Sequence, residues 1–198
     1  MHQPAPGDQD VREAGVGPLA GRQVWSRGQC RAAVVGGERV EVEDRLPGLV
    51  RGAVRNLTPE QLTWAPADGA NTIGWLVWHL ARIQDGHVSE LLGEEQVYLS
   101  GGWARKFGVK ADPSDTGYGH SATEVAAVRP ESWHALVDYY TAVHERTVAF
   151  VEGLTEDDFD QIIDERWDPP VTVGVRLVSV LGDDTQHAGQ AAYVRGLL

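Results

Sequence analysis

The chain has 198 residues, 42% of them apolar, and a formal net charge of −12 at pH 7, which frames about one domain with a full core. The acidic balance excludes a role in gripping phosphate backbones, because affinity for nucleic acid comes largely from Lys and Arg releasing counterions. No apolar run approaches the roughly 18 residues of a membrane span, and the opening MHQPAPGDQD lacks the basic region and apolar core of a secretory signal. A soluble, cytoplasmic protein is the expectation. The single Cys30 fits a reducing compartment and leaves no internal disulfide to form. Only Lys106 and Lys110 are lysines, the other basic residues being arginine; with abundant Ala, Gly and Val this suggests a GC-rich bacterial coding bias.

Residues 1–40 carry many glycines, polar residues and two early prolines without sustained periodicity, which predicts an irregular N-terminal extension ahead of a domain over 41–198. Cys30 falls in that extension and is not expected to be a nucleophile. From Val40 to Leu57, apolar residues at Leu46, Leu49, Val50, Ala53, Val54 and Leu57 follow helical spacing, interrupted by Pro47 and Gly48. Thr58-Pro59-Glu60-Gln61 starts a short turn, and Trp64 to Ala70 reads as a loop. Asn71 or Thr72 can cap a second helix, Ile73 to Leu92, with Leu76, His79, Leu80 and Ile83 on or beside one stripe.

The segment from Gly93 to Arg129 is long, glycine-rich and aromatic, and is expected to be an irregular crossover that either covers a substrate or packs over the bundle end. Pro130-Glu131 opens a third helix that stops at Gly153. His134 and His144 on it lie about 80 degrees apart around the axis and are not expected to be ligands. Thr155 and Asp158 have the spacing of a capping box. Val171-x-Val173-x-Val175 alternates like a strand, but beyond it Leu177, Val178, Leu181, Ala188, Ala191, Ala192 and Val194 fit a helix. Four main helices with one long connection predict an all-α four-helix bundle.

That last helix would present Asp183 and His187 from one face, a turn apart. His79 on a partner helix would complete a set of two nitrogens and one carboxylate oxygen. Such a set suits zinc, and three protein donors leave a fourth position open. Spacing alone leaves the plainer reading standing: an Asp and a His four apart often mark a solvated face, and a lone inward His is often a hydrogen-bonded core residue.

The run Asn71-Thr72-Ile73-Gly74-Trp75-Leu76-Val77-Trp78-His79-Leu80, with His187-x-Gly189-Gln190, resembles the DinB-like superfamily of bacterial metalloproteins over residues 43–198. In particular it is similar to the branch of mycothiol-dependent transferases and maleylpyruvate-isomerase-like proteins. The resemblance implies a four-helix bundle of DinB-like type that holds a divalent metal, usually zinc, on His79, Asp183 and His187. Many relatives carry His where this chain has Asp183, and others carry an acid there. It implies in turn a thiol S-transferase in which mycothiol or a similar small thiol, deprotonated at the open position, attacks an electrophile. Asp184, Gln186 and Gln190 are candidates for orienting the imidazoles or reaching substrate, ordinary surface polarity being the alternative. Arg82 would meet an anionic substrate or pair with Asp85, and the pairing is favoured. Two other functions share the ligand set: a hydrolase acting through a metal-bound water, and a non-catalytic metal-binding stress protein. Either a monomer or a homodimer is compatible with all three.

Overall fold

The computed structural model describes residues 45–198 and, ahead of them, only the backbone of two short antiparallel strands, β1 (Ala32–Val35) and β2 (Glu38–Glu41). The expectation for Cys30, and most of that for the extension, lies outside the described residues. The first helix, α1 (Leu46–Val54), starts later than Val40 because Pro47 sits in its first turn. A proline there lacks an N–H that had no partner in any case, so it opens the helix instead of interrupting it. The turn at Thr58 is a one-turn helix, α2 (Pro59–Leu62), closed by reciprocal hydrogen bonds between Thr58 and Gln61.

Thr72, not Asn71, caps α3 (Ile73–Leu92), its hydroxyl accepting from the Trp75 N–H at 3.1 Å. The crossover after α3 is less irregular than expected: it contains α4 (Val97–Ser100), α5 (Trp103–Lys106) and α6 (Ala122–Ala127). Elements this short have no repeat for a periodicity argument to detect. The next long helix, α7 (Trp133–Gly153), begins after Ser132, whose hydroxyl accepts from the Ala135 N–H, and not at Pro130. In α8 (Glu156–Phe159) the Asp158 carboxylate accepts from both the N–H and the hydroxyl of Thr155. The alternating valines yield only two strand residues: β3 (Ile162–Asp164) pairs with β4 (Val171–Thr172), and Thr172 then caps α9 (Val173–Arg195).

The helices α1, α3, α7 and α9 form a four-helix bundle in which α3 packs on both α7 and α9, and α1 packs on the same two from the other side. Arg82 meets Tyr139 and Ser89 meets Arg146, so α3 and α7 run in the same direction. The crossover must therefore return the chain along α3, and it lays residues 112–120 over Trp75, His79 and Arg82. Covered on three sides, α3 is buried at every position from Thr72 to Arg82. Among the described residues no helix is long and apolar enough to cross a membrane.

Candidate metal centre

The helices α3 and α9 pass each other in opposite directions. His79 lies against His187 with ring centroids 4.7 Å apart, and further along α3 His87 meets Arg176, nearer the start of α9, at 2.7 Å. This crossing turns the four-residue spacing on α9 toward α3: His79, Asp183 and His187 each offer a ligand atom, and these atoms lie within 4.8 Å of one another. The three residues expected to converge do so, from positions about a hundred residues apart in the chain.

Each imidazole is held so that one nitrogen remains free. Nδ1 of His79 is 2.5 Å from the Thr116 carbonyl oxygen, and Nδ1 of His187 is 2.9 Å from the Asp183 carbonyl oxygen. A carbonyl only accepts, so both Nδ1 atoms carry protons, and the Nε2 lone pair of each ring is left for another partner. Backbone carbonyls commonly fix metal-binding imidazoles in this way. Burial holds His79 below its ordinary pKa and so favours the neutral ring that a cation needs. His187 is shifted the other way, chiefly because the Asp183 carboxylate lies beside it, so protons compete there with any cation. Oδ2 of Asp183, 3.3 Å from Nδ1 of His187, is buried with no hydrogen-bond partner. A buried carboxylate oxygen left unanswered beside two free imidazole nitrogens fits a divalent cation as the missing partner.

The crossover supplies a surround that the sequence reading missed. Trp75 stacks on His79 at 4.6 Å and 9°, and its indole N–H donates to Nδ1 of His120 at 3.1 Å. Nε2 of His120 in turn lies 2.9 Å from the Asp115 carboxylate. Gly117 has φ +88, and a Cβ on it would stand 2.8 Å from Trp78, 3.0 Å from Nδ1 of His79 and 3.1 Å from Trp75. Only glycine lets the loop press this close. The visible signal was the Asp115-Thr116-Gly117-Tyr118-Gly119-His120 run itself, whose two positive-φ glycines bracket a Tyr118 that is 90% exposed.

The remaining candidates are distributed differently. Arg82 is fully buried and pairs with Asp85 at 3.5 Å, and its guanidinium donates to the carbonyls of Asp112, Pro113 and Asp115 and to Gln96. It pins the crossover to α3 and offers nothing to an anionic substrate. Asp184 points to the interior, where it lines a separate cavity of about 790 Å³ reaching between α7 and α9. There burial, followed by the nearby Asp183 charge, pushes its carboxyl up to about 8. Gln186 is exposed and donates to the Gly182 carbonyl of its own helix, and Gln190 is exposed. His134 stacks on Trp133 and His144 on Tyr140, and neither belongs to the metal-ligand group.

A bundle with two imidazoles and a carboxylate converging between its second and fourth long helices defines a class of helical protein able to hold a divalent metal. The family model of the DinB superfamily matches residues 44–191, and the chain belongs to that superfamily. Its fold is similar to the crystal structure of a conserved protein from Enterococcus faecalis, with a TM-score of 0.71 and 32% identity over 77% of this chain and 89% of that one. No curated protein matches the chain.

Proposed function

We propose that the protein is a divalent-metal-dependent thiol S-transferase, with zinc as the ion and mycothiol or a similar low-molecular-weight thiol as cosubstrate. One observation carries this reading: the ligand atoms of His79, Asp183 and His187 gather within 4.8 Å. Three protein donors leave a position for an exogenous ligand, the arrangement of a catalytic site and not of a closed structural one. A divalent ion there would supply the charge that keeps a thiol, ordinarily protonated at neutral pH, in its nucleophilic form.

The chain's own residues do the positioning. Thr116 and the Asp183 carbonyl orient the two imidazoles, while Trp75 forms a flat wall against His79. Asp183 contributes a negative charge that leaves a bound divalent ion with net charge to spend on a thiol. The transfer needs no separate side-chain base once the thiol has lost its proton to solvent.

The test is turnover of an electrophile panel by zinc-loaded protein, with and without mycothiol or a substitute thiol. Consumption that requires both thiol and zinc supports the transferase. Consumption with zinc alone identifies a hydrolase, and no consumption by fully loaded protein leaves a metal-binding protein without this activity.

A further inference from the structure

Beside the metal-ligand group, toward the start of α3 and the end of α9, lies a cavity of about 380 Å³ lined by Pro66, Ala70, Asn71, Leu76, Gln190 and Val194, with Gly189 and Tyr193 at its α9 side. Leu76 precedes His79 by three residues and Gln190 follows His187 by three. Because the helices run in opposite directions, both offsets point to the same end of the bundle, about 4.5 Å along each axis. The cavity is therefore the neighbouring compartment of the same α3–α9 seam.

Its chemistry is specific. No charged residue lines it, and its walls are mainly aliphatic and aromatic. The side-chain amides of Asn71 and Gln190 have no hydrogen-bond partner among the described residues. The arginines nearest the cavity along α3 and α9 are engaged elsewhere: Arg82 is buried under the crossover, and Arg195 donates to the Ala53 and Arg55 carbonyls. A substrate carboxylate or phosphate would find no free cation in the cavity wall, and the part of its hydration lost against the buried Leu76 and Val194 would go uncompensated. Two free amides on an apolar wall instead match a neutral body with one carbonyl, hydroxyl or amide group.

We propose that this cavity seats the electrophilic substrate, and that the substrate is an uncharged compound with a compact apolar body and a neutral hydrogen-bonding group held by Asn71 and Gln190. The proposal rests on the transferase reading for the word substrate; the selectivity of the cavity stands apart from it.

The test uses three probes of similar size, benzamide, benzoate and benzylamine, followed by saturation-transfer NMR on the metal-free full-length protein, so that benzoate has no cation to bind. Gly189→Trp serves as the blocking variant, since a Cβ at Gly189 meets nothing within 4 Å and the helix gains from losing a glycine. Zinc equivalents are measured on the same two proteins. Benzamide is expected to bind the wild type about tenfold more tightly than either charged probe, and to lose that binding in Gly189→Trp while zinc uptake is unchanged. Equal binding of the charged probes, benzamide binding that survives Gly189→Trp, or no benzamide binding overturns the proposal. A wild type that takes up no zinc but still selects benzamide overturns the transferase reading and leaves the cavity's selectivity in place.

Discussion

Two polar clusters sit within two turns of each other on α3, and they are built in opposite ways. Around Asp85 the carboxylate is fully answered: it accepts from the Val97 and Tyr98 N–H groups at 2.9 and 2.8 Å and from the Tyr139 hydroxyl at 2.8 Å, with Arg82 beside it. Around His79 the ligand atoms converge from two helices, and Oδ2 of Asp183 is buried with no hydrogen-bond partner, only the His187 imidazole 3.3 Å away. Buried polarity alone is therefore no sign of a functional site. A closed network holds the crossover on the bundle, whereas donor atoms that share a direction but lack a partner await a ligand.

The contrast breaks first at His187. His187→Ala is expected to abolish stoichiometric metal binding while circular dichroism still reports a folded helical protein; full metal retention would show that the convergent atoms are not the ligands. Asp85→Ala should do the reverse. Stripping a buried ion pair of its acid costs about 3–5 kcal/mol, read as a lower urea midpoint, with zinc stoichiometry preserved in the folded protein. Zinc loss at unchanged stability would mean that the two clusters had been assigned the wrong roles.

Gly117→Ala probes the contact between them. A methyl group at φ +88, pressed against Trp78 and His79, costs about 1–3 kcal/mol, and by shifting the Thr116 carbonyl it should also weaken metal affinity in competition with a chelator. Unchanged affinity would show that the loop merely covers His79. The smallest effect is a pH slope in the metal-free protein. The folded-state pKa of Asp184, about 8, lies above its unfolded value near 3.8, so the folded state binds the extra proton between them. Stability should therefore be fully present below the unfolded value and decline as pH rises toward 8. His187, also raised, adds to the decline, whereas His79, lowered by burial, acts oppositely below its ordinary value. Asp184→Asn should flatten the slope in thermal melts; an unaltered slope would assign it to His187.

Much of the bundle was legible because α3, α7 and α9 repeat their apolar residues over five or more turns, and Asp183 and His187 were legible because one helix fixes their relation. The partnership of His79 with them needed the family resemblance, since nothing in local spacing links residues on α3 and α9. Thr116, Gly117 and His120 were not legible: their roles arise from a crossover folded back along α3, a tertiary event with no periodic trace. Arg82 shows the same limit from the other side. Asp85 three residues on foretold its pairing, but the three carbonyls it gathers come from a loop some thirty residues away.

The most direct test of the central claim is elemental analysis of untagged wild-type protein beside His79→Ala, both reconstituted with zinc and desalted. About one equivalent of zinc on the wild type and none on the variant is the predicted result. No zinc on the wild type, or equal zinc on both, would contradict a metal centre built on His79, Asp183 and His187.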